Sequence, residues 1–202
     1  MRKKTFRKVI AVVAMIAVLF VMAGCGARTT GGDTPGPVQD TTAYPVELTY
    51  VSLAYLDSGD ESIDKFVDDV DQIVNIENME SKEAMLSAAI YETINLLKVV
   101  PDNISDKAVT CVSDHVPVNA VTVLQSGPNG SVEVDIDGAA MDMDSYTEKF
   151  FIYQIADTIL DSFEEIENVS FTVDGVKVDG LNHMDLSKPF TEDMVDRFEG
   201  DN

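Results

Sequence analysis

The hydrophobic pattern changes period twice between Ser131 and Val178, and this constrains the fold more than any other feature of the chain. Ser131-Val-Glu-Val-Asp-Ile-Asp137 alternates apolar and acidic residues, the two-residue period of a half-buried strand. Val132, Val134 and Ile136 then share one face, and Glu133, Asp135 and Asp137 the other. From about Ser145 to Phe163 the period becomes helical: Phe151, Ile152, Ile155, Ile159, Leu160 and Phe163 form a stripe, which assigns Glu148, Asp157, Asp161 and Glu164 to the solvent side. Val169-Ser-Phe-Thr-Val173 alternates again. Asp174-Gly175 before Val176-Lys-Val178 signals a two-residue hairpin, because a type I′ turn needs positive φ at both central positions.

The preceding residues supply the remaining elements. Val46 to Leu56 reads as a strand that shifts phase after Tyr50, as a bulge would cause, and a polar loop follows from Asp57. Residues 63–79 carry both helical and strand spacings and predict only an ordered connection. Ser81 is a good N-cap for a helix with Glu83 in its first turn and Leu86, Ala89, Ile90, Thr93, Ile94 and Leu97 along one side, ending before Pro101. Val116–Leu124 and Val132–Ile136, joined through Ser126-Gly-Pro-Asn-Gly130, predict an antiparallel hairpin. The order predicts an α+β fold with two helices packed on one face of a mostly antiparallel sheet.

The first residues predict an address. Arg2, Lys3, Lys4, Arg7 and Lys8 precede an apolar run from Val9 to Ala23, shorter than the roughly 20 residues that comfortably span a bilayer. The run ends in Val21-Met-Ala-Gly-Cys25, which resembles the lipobox of bacterial lipoproteins. Residues 1–24 therefore read as a lipoprotein signal peptide, with Cys25 the lipidated residue. Residues 25–44, rich in Gly, Pro and Thr, read as a flexible tether, and 45–202 as a single domain. The predicted location is the outer, extracytoplasmic face of the cell membrane, held through acyl chains on Cys25. Removing residues 1–24 takes five of the 14 basic residues and none of the 36 acidic ones, so the formal charge falls from -22 to 9 minus 36, or -27. Such a surface repels nucleic acid and anionic headgroups, which excludes nucleic acid as a partner.

Catalytic patterns are weak. With Cys25 lipidated, Cys111 is the remaining thiol, so neither an internal disulfide nor a cysteine zinc site can form, and its apolar neighbours make it a small buried hydrophobe. His115 and His183 lie outside any His-Glu-x-x-His pattern and read as structural or surface residues. Ser162 and Ser187 lack a nucleophile elbow. Glu133 to Asp144 places Glu133, Asp135, Asp137 and Asp144 at loop positions 1, 3, 5 and 12, with Gly138 at 6, like a calcium loop. Its strand entry and terminal Asp depart from an EF-hand, leaving these four as weak cation candidates and Asp142 or Asp144 as a helix N-cap. In His183-Met-Asp-Leu-Ser-Lys-Pro-Phe190, Met184 and Leu186 point inward, Phe190 plugs the core edge, and Asp185 bonds nearby backbone to fix a turn.

Ser131–Asp137, the helix containing Gln154-Ile-Ala-Asp-Thr-Ile159, Val169–Val178 and His183–Phe190 come in one characteristic order, and this resembles the GerMN domain of sporulation and spore germination proteins. The resemblance implies an extracytoplasmic α/β domain, often on lipoproteins, similar to ring-building folds of envelope machines. It implies no catalytic residue and no cofactor. Sporulation members commonly carry two such domains, and this chain has room for one. The expected function is a non-catalytic protein-interaction or assembly module, with an envelope protein or a second copy as partner. The alternative is a cation- or small-ligand-binding sensor using the acidic face.

Overall fold

The structure, a computed structural model, describes residues 40–200; the signal-like segment, Cys25 and the tether up to residue 39 lie outside the described residues. Strand β1 (Thr41–Ser52) runs antiparallel to β2 (Phe66–Glu77), from Thr41 opposite Glu77 to Val51 opposite Phe66. Residues 41–44, expected in the tether, thus belong to a sheet. The ambiguous stretch before Ser81 is mainly β2, with Val70, Val74 and Ile76 buried and Asp71, Ile73, Asn75 and Glu77 exposed. The phase shift in β1 is a register irregularity between Leu48 and Tyr50. β1 stops sooner than expected because the Ser52 hydroxyl accepts from Tyr55 N and starts helix α1 (Leu53–Ser58).

Helix α2 (Lys82–Leu96) begins where predicted, with the Ser81 hydroxyl accepting from Ala84 N at 3.0 Å. Tyr50 donates its hydroxyl to Val99 O at 2.9 Å, tying β1 to the end of this helix. The short β3 (Ala108–Val109) pairs with Val51 and Ser52 and completes a three-stranded sheet ordered β2-β1-β3.

The second sheet is ordered β4-β5-β6-β7, from Val118–Gln125, Ser131–Ile136, Asn168–Val173 and Val176–Lys177. β4 and β5 form the expected antiparallel hairpin, whereas β5 and β6 run parallel. Parallel neighbours need a crossover, and α3 (Ser145–Ser162) supplies it. Asp174 and Gly175 have φ of 50° and 73°, the type I′ turn that Asp-Gly predicts. The α+β class holds, with the strands divided between two sheets rather than one. A further helix, α4 (Glu192–Gly200), buries Val195 and Phe198. Its signal is the apolar set Met194, Val195 and Phe198 after an acidic first turn.

The expected solvent face of α3 is wrong at two positions: Glu148 is 0% exposed and Asp157 1%. Beyond β3, the side of β1 opposite β2 meets α3 instead of another strand. Ser162 Oγ accepts from Glu47 N at 2.9 Å and donates to Glu47 O at 3.0 Å. Thr158 Oγ1 accepts from Thr49 N at 3.2 Å, and Gln154 Nε2 donates to Thr49 O at 3.0 Å. Asp157 Oδ2 accepts from the Thr49 hydroxyl at 2.7 Å. Gln154, Thr158 and Ser162 stand four residues apart on one side of the helix and satisfy the strand edge as a neighbouring strand would. Pro45 fits the same logic. With no irregularity between it and Glu47, its missing N–H falls on the side away from β2 and costs no ladder bond.

Two substitutions test this packing. A Cβ on Gly130 would lie 1.7 Å from the carbonyl oxygen of Glu165. Gly130→Ala is therefore expected to reach or exceed the upper end of the roughly 1–3 kcal/mol cost of overpacking, read as a lowered urea midpoint. Thr158→Val keeps the shape but strands the buried Thr49 N–H, and a loss of about 1–3 kcal/mol is expected in the same measurement.

Candidate functional site

The acidic stretch that resembled a metal loop is taken up by local structure. Asp135 Oδ1 accepts from the Thr172 hydroxyl at 2.7 Å and from Gly175 N at 2.6 Å, pinning the β6–β7 turn. Asp137 accepts from Ala139 N and starts a 3₁₀ turn, Gly138–Asp142. Asp144 caps α3, accepting from the backbone N–H groups of Tyr146 and Thr147 and from the Thr147 hydroxyl. Glu133 is half-buried on β5. Among the described residues no group of three or more His, Cys, Asp or Glu is placed to hold a metal ion.

The thiol of Cys111 is half-buried, and burial pushes its pKa up to about 11, with Asp144 adding to the rise. Its backbone N–H donates to Gln154 Oε1 at 2.9 Å. His115 is exposed. Ser162 is committed to β1. Asp185 accepts from both the hydroxyl and the N–H of Ser187, which holds its carboxyl below the usual range and fixes the turn as expected. Leu186 and Phe190 are buried and Met184 half-buried, as read from the sequence.

Two surfaces carry recognition features. The first is an open cavity of about 450 Å³ between the segment 183–190, α3 and α4. His183 stands on it, with its backbone N–H and its Nδ1 each 2.9 Å from an oxygen of the buried Glu148. A carboxylate only accepts, so Nδ1 carries the hydrogen and Nε2 is the second ring nitrogen. Tyr153 and Phe190 meet edge to face with centroids 5.4 Å apart, and Tyr153 stacks on Phe198 at 3.9 Å. Met184, Asp185, Lys188, Met194 and Arg197 complete the lining. Sequence reading missed this pairing because it placed Glu148 outside; no local pattern signals a contact between residues so far apart in the chain.

The second surface is a cleft of about 470 Å³ along the outer edge of β2, between Ile73–Glu77, Met79 and the α2 residues Ala88, Glu92 and Leu96. Large apolar groups are exposed here, Ile73 at 65% and Met79 at 46%. Because Glu47 turns its N–H and C=O away from β2, its partner Asp71 does the same in the opposite direction, and so does Ile73 two residues on. From Asp71 onward β2 therefore turns backbone groups outward to an edge that no described strand pairs with.

Asp135 gives a pH test. Burial raises its pKa, but the donors Gly175, Thr172 and Asn119 outweigh this, so its folded value lies below the ordinary 3.8. A depressed folded pKa adds stability above the unfolded value and loses it as pH falls through the folded one. Asp135→Ala should thus cost about 1 kcal/mol near neutral pH, after allowance for solvent screening. In urea titrations the gap from wild type should close below about pH 3.8.

Among the described residues no helix is long and apolar enough to cross a membrane. No curated protein matches the chain by sequence. Among solved structures, a protein from Clostridium perfringens described as a candidate lipoprotein is 15% identical, covering 74% of this chain and 89% of its own, with a TM-score of 0.43. The first GerMN domain of the sporulation protein GerM from Bacillus subtilis is 13% identical over 73% of this chain and 98% of its own, TM-score 0.45. The tandem GerMN domains of the same protein give 14%, 73% and 45%, TM-score 0.42, this chain spanning less than half of that pair. A family model described as sporulation and spore germination matches residues 52–179, most of the chain, which thereby belongs to the Germane family.

Proposed function

We propose that the chain is a lipid-anchored extracytoplasmic protein whose Germane domain, residues 45–202 with the preceding strand residues 41–44, docks an envelope protein without catalysing a reaction. The anchor reading rests on Arg2–Lys8, the apolar run and Val21-Met-Ala-Gly-Cys25. Acyl chains on Cys25, followed by the tether, join the membrane to Thr41. Labelled palmitate is expected to enter the wild-type chain and not Cys25→Ala, and equal labelling would end the anchor reading.

The observation that carries docking is the outward edge of β2 beside an apolar cleft. Soluble proteins normally cover or blunt such an edge, since it pairs readily with an added strand. Asp71, Glu77 and Glu92 rim it, so the partner segment is extended, apolar at one or two positions and basic. Association should weaken as salt rises, because rim charges are screened.

Ile73→Pro is the discriminating variant. It removes an outward N–H and the exposed side chain, yet leaves the β1–β2 ladder intact, because Ile73 does not donate to β1. In crosslinked membranes the wild-type chain should capture a discrete envelope protein, and Ile73→Pro several-fold less with an unchanged melting midpoint. Equal capture by both chains would refute docking at β2, and recovery of neither partner nor oligomer would refute the interaction reading altogether.

A further inference from the structure

We propose that the cavity between segment 183–190, α3 and α4 binds a small organic anion, a carboxylate or phosphate ester on an aromatic or aliphatic body. Two of the chain's few basic residues meet at this cavity. Lys65, Lys82 and Lys98 each ion-pair with a carboxylate, Glu61, Glu165 and Asp114, at 2.7 to 2.9 Å, while Lys107, Lys149 and Lys177 stand apart from one another in the chain. Lys188 and Arg197 line one cavity, and among the described residues neither ion-pairs with a carboxylate. Arg197 spends only Nε, which donates to Asp193 O at 2.9 Å, so its terminal nitrogens remain for a ligand. The acid that shares the lining, Asp185, accepts twice from Ser187 and also feels the charge of Lys188, which helps hold its carboxyl below the usual range, yet it forms no ion pair with that lysine among the described residues.

The rest of the wall has complementary chemistry. Tyr153 and Phe190, locked edge to face, give a rigid aromatic side, and Met184 and Met194 give a deformable one. Such a wall does nothing for a bare inorganic ion but favours an anion with an apolar body. The buried Glu148 holds His183 by two contacts, so the imidazole is a positioned third polar group rather than a mobile one. A volume of about 450 Å³ lies within the range of small-molecule sites. A planar guanidinium beside an ammonium suits carboxylate and phosphate oxygens equally. The site is separate from the β2 edge and stands whether or not that edge docks a partner.

Phenyl phosphate, benzoate, inorganic phosphate and benzyl alcohol, titrated into the full-length chain and followed by calorimetry and NMR, test this assignment. Phenyl phosphate or benzoate should bind saturably and shift resonances of His183, Tyr153 and Met194, with inorganic phosphate and benzyl alcohol weaker. Lys188→Gln combined with Arg197→Gln should weaken binding about tenfold or more, as loss of charged hydrogen bonds implies, while Lys177→Gln on the exposed β7 should not. Should the double variant unfold, Lys188→Gln alone, on an exposed loop position, is expected to weaken binding measurably with an unchanged melting midpoint. Binding no tighter for the aromatic anions than for benzyl alcohol, or reduced equally by Lys177→Gln, would overturn the proposal. Inorganic phosphate binding as tightly as phenyl phosphate would overturn its apolar half.

Discussion

The edge of β1 is satisfied by side chains of α3, and the two halves of the domain meet through that contact. A strand with no neighbour leaves N–H and C=O groups that cost about 1–3 kcal/mol each if buried without partners. Here Gln154, Thr158 and Ser162 supply those partners at Thr49 and Glu47. Phe151, Ile152, Ile155 and Ile159 of the same helix are fully buried in the core shared with β5 and β6. Helix α3 is consequently buried on both sides, one polar and one apolar. It fixes the first sheet relative to the second without a strand passing between them.

A smaller aromatic cluster closes the end of the domain where α1, α3 and α4 meet. Phe150 and Phe198 pack at 5.4 Å between centroids, and Phe66 stands 5.8 Å from each. Lys65 is 4% exposed, ion-paired to Glu61 and poised 5.4 Å from the Phe198 ring centre and 5.5 Å from that of Tyr55. A buried ammonium tolerates this place because a carboxylate and two aromatic faces share its charge. The cluster has a consequence beyond stability. Phe198 also stacks on Tyr153, so the packing that seats α4 sets the aromatic wall of the anion cavity.

What the sequence discloses follows from the range of the forces involved. Caps and turns are local chemistry, so Ser81 and Asp174-Gly175 could be read directly, and Asp144 as one of two neighbouring cap candidates. The alternation of Val132, Val134 and Ile136 identified their burial because one face of β5 meets the core. Asp157 and Glu148 were misread for one reason: amphipathicity assumes that the polar side of a helix faces water. Here that side faces a strand edge and the backbone of His183, contacts over a hundred and over thirty residues away in sequence. The division into two sheets was equally hidden, since periodicity tells which residues pair inward but not which strand lies beside which. Within the candidate sites, Asp185 and its turn were legible, whereas the meeting of His183, Lys188 and Arg197 required the docking of α4.

Strand edges give the architecture its asymmetry. β4, at one end of the second sheet, is covered by α2, where Ser87 Oγ accepts from Val123 N at 2.9 Å. β1 is covered by α3, and β7 has only two residues. β2 is different: it is twelve residues long, and from Asp71 to Glu77 no described strand pairs with its outer edge. Two properties keep such an edge from indiscriminate pairing: the carboxylates Asp71 and Glu77, and the chain's overall negative charge, which sets copies against one another. The same charges would favour a cationic segment, so under the proposed docking reading protection against self-association and selection of a basic partner come from one set of residues. An edge that is guarded by charge but left uncovered, beside an apolar cleft, has the physical character of a docking strand.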